Sequence, residues 1–326
     1  MVDKRYEIIT ALKASKGTPV SGADLAEKLG ISRTMVWKYI NSIKENGYEI
    51  DSSPNKGYIL RSVPQLLYPD EIRSGLKTTL LGKDIKYFDE AVSTNNIAKE
   101  IAATSNEGTI VIAEQQRSGR GRLGREWVSP RGGIWFSLIL KPKTPVKNAS
   151  RITLIAGLAV AKTIRNLGIE ASIKWPNDVL VNGKKVCGIL TEIEAELDQI
   201  AYVVVGIGIN VNFELKDIPS EFQETTTTVK QEMGHYIDRL QFIQDLLFEL
   251  EQQYIKFSTQ SFNSILSEWV AMSDTIGKEV KVTTPNKIIE GKAIGITPDG
   301  ALIVKKNDGS RQEIIAGQCI YSRPVQ

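Results

Sequence analysis

Ser118 to Trp127 reads SGRGRLGREW, and the way this stretch is read decides the fold. Gly119, Gly121 and Gly124 spell G-x-G-x-x-G, the spacing of a dinucleotide-binding turn. Such a turn needs its first glycine directly after a strand and its third inside a helix. A strand pattern, TIVIAEQQ, does precede it, but REWVSPRGGIW follows, with Pro130 and Gly132-Gly133 and no helical period. The acidic residue expected about twenty residues further on in a nucleotide-binding βαβ unit is also missing, because that region reads LILKPKTP. The glycines therefore serve something else. They let backbone approach a ligand closely and let a loop move. Arg120, Arg122 and Arg125 among them supply planar, permanent cations suited to carboxylate or phosphate. The stretch reads as a mobile anion trap that orders on its ligand and shields it from water. The competing reading is a solvated basic loop.

The rest of the chain narrows the chemistry. Its 326 residues suggest two or three domains, and 41% hydrophobic with 24% charged residues is an ordinary globular balance. No apolar run approaches the length of a bilayer span. MVDKRYEIITALKASKG has no apolar secretion core, so the expected location is cytoplasmic, with no membrane partner. Cys187 and Cys319 lie far apart and read as two buried free thiols. The single histidine, His235, sits in QEMGHYIDR between two helical patterns, a loop setting. One histidine and two distant cysteines exclude the usual structural zinc sites and leave imidazole catalysis with one candidate. The chemistry should rest on the placement of charge.

Net charge is +3, and residues 1–65 hold ten Lys/Arg against seven Asp/Glu, so the whole excess lies at the front and hints at an anionic partner there. YEIITALKAS has helical spacing. A second helix is capped by Ser21 and closed by Gly30, and a third starts at Ser32 with Met35, Val36, Tyr39, Ile40 and Ile43 on one side. YEIDSSPNKGYIL then predicts two short strands around a turn. Three helices and a wing make a winged helix-turn-helix. Ser32, Arg33, Thr34, Lys38 and Asn41 lie on or beside the start of its recognition helix, and Lys56 lies at the wing tip; these types contact base edges and phosphates.

From residue 65 to about 260, strands (IKYFDEA, TIVIAEQQ, GGIWFSLIL, ASIKWPNDVLV, KKVCGILTEIEA, YVVVGIGINV) alternate with helices (NNIAKEIAAT, RITLIAGLAVAKTIRNLG, DRLQFIQDLLFELEQQYIKFS). Hairpin spacing between consecutive strands predicts a mixed or antiparallel sheet in an α+β fold. Beyond Gly277, EVKVTT, IIEGKAIGITP, ALIVKK and RQEII predict a small β-barrel.

Several stretches, in order, carry a resemblance: STN at Ser93–Asn95, GRGRLGREW, KWPND at Lys174–Asp178, KVCGIL at Lys185–Leu190, and GIGIN at Gly206–Asn210. With the winged helix in front and the small barrel behind, the chain resembles the bifunctional biotin–protein ligases that double as biotin-operon repressors. One departure is Leu123, where some members carry a further basic residue. The resemblance implies a winged helix-turn-helix at 1–64, a central mixed-sheet, class II synthetase-like ligase domain at 65–275, and an SH3-like barrel at 276–326. It implies an enzyme that joins biotin to AMP from ATP with Mg²⁺ and passes the biotinyl group to a lysine of a biotin carboxyl carrier domain. It also implies a homodimer, formed with biotinyl-AMP bound, on operator DNA.

Residue by residue, the resemblance assigns biotin to Ser93, Thr94, Asn95, Gln116, Gly119, Arg120, Arg122, Lys185, Gly188, Gly206 and Gly208. It assigns the adenylate to Arg122, Arg125, Trp127, Lys174, Asn177 and Asn210, and catalysis to Lys185, Arg120, Arg122 and Asp178. Asp178 stays open between Mg²⁺ ligand and base for the incoming lysine. Two other readings stay open as well: a ligand-sensing repressor without ligase activity, and a lipoate-type acyl ligase with a longer apolar tunnel. Trp127, Trp135 and Trp175 compete as plain core aromatics, and Gly206 and Gly208 as a strand irregularity.

Overall fold

The computed structural model describes residues 4–45, 48–53, 57–62, 66–259 and 262–321. The chain divides into two compact units, Met1–Leu66 and Leu67–Gln326.

In the first unit, α1 (Lys4–Ala14), α2 (Gly22–Leu29) and α3 (Arg33–Glu45) precede an antiparallel pair, β1 (Glu49–Ser53) and β2 (Gly57–Ser62). The Ser21 hydroxyl accepts from the Asp24 amide at 3.0 Å, satisfying one of the free donors at the start of α2. Gly30, at φ 63°, ends that helix in the left-handed region, where glycine carries no steric penalty. Ser32 begins α3 the same way, accepting from the Met35 amide at 3.2 Å. Val36, Ile40 and Ile43 form the buried stripe of α3, with Tyr39 half-buried. Met35, expected on that stripe, is 37% exposed. The inward stripe of α3 needs only Val36, Ile40 and Ile43, and Met35 lies one position off it, toward solvent.

The second unit begins with α4 (Pro69–Ser74) and β3 (Ile85–Ala91), followed by α5 (Thr94–Ala102), β4 (Ile110–Gln116), β5 (Ile134–Leu140) and α6 (Ala149–Arg165). Next come β6 (Ala171–Lys174), β7 (Asp178–Val181), β8 (Lys184–Glu196) and β9 (Gln199–Ile209). Short helices α7 (Ser220–Gln223) and α8 (Val229–Met233) lead to α9 (Arg239–Thr259) and α10 (Phe262–Ala271). Asp238 caps α9, accepting from the amides of Leu240 and Gln241 at 2.9 and 3.1 Å. The predicted strand ASIKWPNDVLV is two strands, because Trp175-Pro176-Asn177 forms the turn of a hairpin between β6 and β7. His235 lies exposed between α8 and α9, as a loop histidine should.

The central sheet has seven strands in the order β3-β4-β5-β9-β8-β7-β6, parallel only at β3–β4. It is the predicted mixed sheet. Side chains alternate across it. On one face Phe136, Leu138, Val203, Val205 and Ile207 join α6 and α9 in the main core. On the other, Val111, Ile139 and Val204 pack under Ala98 and Ala102 of α5. IWFSLIL in β5 is buried on both faces, so Ser137 sits in the sheet among apolar neighbours.

The last strands are β10 (Glu279–Thr283), β11 (Ile288–Ile296), β12 (Leu302–Lys305), β13 (Arg311–Ile314) and β14 (Gln318–Tyr321). They form an antiparallel five-stranded sheet in the order β13-β12-β11-β10-β14. It joins the central sheet through Trp175, whose amide donates to Thr275 Oγ1 at 2.9 Å and whose indole donates to the Gly300 carbonyl at 3.2 Å. Among the described residues no helix is long and apolar enough to cross a membrane.

One buried ion pair ties α9 to β4: Arg239 and Glu114 meet at 2.8 Å, and Arg239 also donates to the Gly133 carbonyl. Arg239→Ala would strand the Glu114 carboxylate in the core and is expected to cost roughly 3–5 kcal/mol, read by urea unfolding. A variant within experimental error of the parent would show that the pair contributes nothing.

Candidate functional site

A cleft of about 540 Å³ lies on the α5 face of the sheet, a size suited to a small-molecule ligand. Alternation brings Gly188, Leu190 and Glu192 of β8 to this face, beside Gly206 and Gly208 of β9. A methyl group at Gly206 would come within 2.1 Å of Asn95 Oδ1, and one at Gly208 within 2.3 Å of Trp127 Nε1. At Gly188 it would meet the Trp127 ring at 2.9 Å. The resemblance assigns all three glycines to biotin. In the structure their immediate neighbours are protein: Asn95 covers Gly206, and Trp127 covers Gly188 and Gly208.

The inner end of the cleft is a polar chain at the β3–α5 junction, where Ser93, Thr94 and Asn95 are buried. Gln116 Oε1 accepts from the Thr94 amide at 2.8 Å and its hydroxyl at 3.1 Å, while Gln116 Nε2 donates to Ser129 at 2.8 Å. Ser137 bridges Thr94 and Asn95 at 2.8 and 2.6 Å. Asn95 Nδ2 donates onward to Glu192 at 3.0 Å. Burial raises the Glu192 carboxyl, but Lys99 and Asn95, with the charge of Arg120, outweigh it and hold the group below its ordinary value. Ser137, Glu192 and Ser129 were not singled out in the sequence. Ser137 carried a signal, a lone hydroxyl inside an otherwise apolar strand; Glu192 and Ser129 carried none.

The outer end is cationic. The Gly121 amide donates to the Arg125 carbonyl at 2.7 Å and the Trp127 amide to the Gly119 carbonyl at 2.8 Å, closing residues 119–127 into a compact loop. Gly119 has to lack a side chain, because a methyl there would strike the Trp127 carbonyl at 2.3 Å. A single 3₁₀ turn, Arg122–Gly124, stands where a nucleotide fold would begin its helix. Arg120 donates to Asn96 at 2.9 Å and lies 3.9 Å from Glu192. Arg122 points into the cleft and donates to Asn177 Oδ1 at 2.8 Å, while Asn177 is anchored through its own donor to the Ile189 carbonyl at 2.9 Å. Burial draws the Arg122 guanidinium below its ordinary value, and nearby Asp178 offsets that only in part.

Lys185 pairs with Asp178 at 2.7 Å and lies over the Trp127 ring at 4.9 Å. Trp127 stands edge-on to the core Trp135 at 6.4 Å. Arg125 reaches Gln318 of β14 at 2.7 Å, and Lys174 lies over the Tyr321 ring at 4.7 Å, so the last strand forms one wall. That wall was absent from the sequence reading, which named no strand after RQEII. Asn210 borders the cleft, but its amide donor goes to the carbonyls of Thr227 at 3.1 Å and Lys185 at 3.4 Å. Trp135 and Trp175 belong to the core. Both thiols are buried and free; burial pushes that of Cys319 up to about 11 and that of Cys187 higher still. No group of three His, Cys, Asp or Glu poised for a metal ion occurs among the described residues.

In the first unit, Ser32 just before α3 and Arg33, Thr34 and Lys38 on it are exposed, and Asn41 is half-exposed. Lys56 lies outside the described residues.

Fold and site together define a ligase of the mixed-sheet type fused to a helix-turn-helix DNA-binding unit. Family comparison agrees domain by domain: residues 4–59 match a helix-turn-helix domain, 87–210 the biotin/lipoate A/B protein ligase family, and 275–321 the biotin protein ligase C-terminal domain. The chain is 40% identical over 325 residues to the bifunctional ligase/repressor BirA of Bacillus subtilis, covering 99% of this chain and 98% of that protein. It is 30% identical to the BirA of Escherichia coli over 88% of each chain. The solved biotin protein ligase from Aquifex aeolicus in complex with biotin and ATP superposes with a TM-score of 0.64 at 32% identity, over 74% of this chain and 99% of that one. The chain belongs to the bifunctional biotin ligase/repressor family, and it is a ligase.

Gly208→Ala is expected to force Trp127 off the sheet at a cost of roughly 1–3 kcal/mol, with loss of near-ultraviolet ellipticity. A spectrum and stability equal to the parent's would contradict this packing.

Proposed function

We propose that the cleft binds biotin and ATP, forms biotinyl-5'-AMP with release of pyrophosphate, and transfers the biotinyl group to a lysine of a biotin carboxyl carrier domain. The observation that carries the reading is Arg122: it is half-buried, pointed into the cleft, and held by a neutral amide with no carboxylate in contact among the described residues. Such a group calls for an anion.

In the first step a biotin carboxylate oxygen attacks the α-phosphorus and the bond to pyrophosphate breaks. Both partners are anionic, so the barrier is largely charge repulsion and positioning, and no protein nucleophile is required. Ser93, Thr94, Asn95 and Gln116 offer the hydroxyls and amides that would hold biotin's ureido head. Arg120 and Arg122, on the Gly119 loop, would close over the carboxylate and α-phosphate. Lys185 would stabilise the charge developing on that phosphate. Trp127, Arg125, Lys174, Asn177 and Asn210 would border the adenylate, and Gly188, Gly206 and Gly208 leave room for Asn95 and Trp127 to lie against the sheet at the site assigned to biotin. In the second step the carrier lysine's amine attacks the acyl carbon, AMP leaves, and the amine loses a proton.

Mg²⁺ would be held at Asp178 and otherwise by phosphate oxygens, which suits an ion that keeps few protein ligands. It would supply further neutralisation of phosphate charge. Lys185 lies 2.7 Å from Asp178 Oδ1, so a metal ion or proton at this carboxylate would share it with the ammonium or displace it.

The helix-turn-helix unit would read operator DNA through Ser32, Arg33, Thr34, Lys38, Asn41 and Lys56. We place biotinyl-AMP as the signal that favours a homodimer matched to a palindromic site, which couples ligand and DNA through a shared assembly state.

Arg122→Ala is expected to release biotinyl-AMP into solution, so that mass spectrometry finds biotin on lysines of bystander proteins. Retention of the intermediate at the parent's level would remove the loop from this role. Lys185→Ala should lower adenylation by roughly 10²–10³-fold while its unfolding curve stays at the parent's position. Turnover near the parent's would take Lys185 out of the mechanism.

A further inference from the structure

The outward stripe of α3 carries a residue that neither packing nor catalysis explains. Val36, Ile40 and Ile43 face the core. About a quarter turn round the helix from them run Arg33, Trp37, Asn41 and Lys44 at helical spacing, with Arg33 and Trp37 exposed and Asn41 and Lys44 half-exposed. Trp37 is 56% exposed, whereas Trp135, Trp175 and Trp269 are fully buried and Trp127 is half-buried in the cleft. No hydrogen bond or ring contact joins Trp37 to another described residue. An indole is the largest apolar surface a side chain can offer, and leaving one in water sacrifices stabilisation that burial would return.

What covers it must suit its setting. From Arg33 to Lys44 the helix has no acidic residue; Glu45, at its end, is the first. Arg33 and Lys38 flank Trp37 with cations, and Thr34 adds a hydroxyl. The matching surface is anionic at its edges and apolar at a small, fixed point within. The major groove of duplex DNA has this pattern: phosphates line it, and the thymine C5-methyl is its apolar feature. We propose that Trp37 is a specificity-determining residue of the DNA interface, its indole packing on thymine methyl groups while Arg33 and Lys38 engage phosphates and base edges. The inference rests on the repressor half of the function proposed above.

The test uses the full chain with biotin and Mg-ATP, and a duplex recovered by repeated selection from random-sequence DNA. Each thymine is then replaced singly by uracil, which deletes the methyl and leaves every hydrogen-bonding edge intact. The parent should bind about fourfold more weakly at each contacted position, the value of one buried methyl-sized group. Trp37→Ala should bind the thymine duplex more weakly than the parent does and should no longer distinguish uracil from thymine. Because Trp37 lies outside the cleft, carrier biotinylation by the variant should equal the parent's. Indifference of the parent to every uracil, or the same uracil penalty in Trp37→Ala, overturns the inference. So does a variant that binds every duplex more weakly by one common factor, since that would place the indole N–H on a phosphate. A parent that selects no duplex at all defeats the repressor reading itself, and this inference with it.

Discussion

Arg122 brings a permanent charge part of the way out of water and meets only the side-chain oxygen of Asn177, 2.8 Å away. A guanidinium so placed is costly without an anion, and the rest of the cleft is arranged around supplying the place for one. Asn177 is fixed to β8 through Ile189, so the contact sets the position of the whole arginine loop against the sheet. Lys185, one strand away, already has Asp178 beside it. The two cations thus differ in setting: Arg122 meets no carboxylate among the described residues, and Lys185 is paired with one but has further N–H donors for a second anion. A ligase that joins two anions needs charge held in place before they arrive, and in the proposed function Arg122 and Lys185 provide it.

The sheet makes the arrangement possible. Strand alternation gives β9 one face of valine and isoleucine and another on which Val204 is followed by Gly206 and Gly208. Where those glycines begin, the α5 face stops being core and becomes cleft. Asn95 and Trp127 lie against the exposed backbone at distances no other residue type would permit. The polar chain from Ser129 through Gln116, Thr94, Ser137 and Asn95 to Glu192 continues to the foot of Arg120. The pocket's inner wall and its loop are therefore joined by hydrogen bonds and, at the last link, by the 3.9 Å ion pair of Glu192 with Arg120, which allows binding at one end to be felt at the other.

Much of this was legible in the sequence because local chemistry dictated it. The absence of a helical period after Gly124 ruled out a nucleotide-binding turn, and hairpin spacing gave the mixed sheet. Ser21 and Gly30 announced helix ends through capping chemistry that acts over three or four residues. Less was legible where the answer depended on distant segments. Met35 fits the spacing of the α3 stripe closely enough to be taken for core, and only the packed helix shows the stripe to be narrower. The glycines of β8 and β9 implied close approach, but which atoms approach was fixed by α5 and by the loop. Gln318 and Tyr321 enter the cleft from β14, more than a hundred residues beyond the strands they face, through a short strand with little pattern of its own.

In the proposed function, the mixed anhydride locks the arginine loop further into the position that Arg122 and Asn177 already give it. Amide hydrogen exchange across residues 118–127, with no ligand, with Mg-ATP alone, and with biotin and Mg-ATP together, tests it most directly. Strong added protection in this segment is expected only when both substrates are present. Exchange that is the same in all three conditions would contradict it.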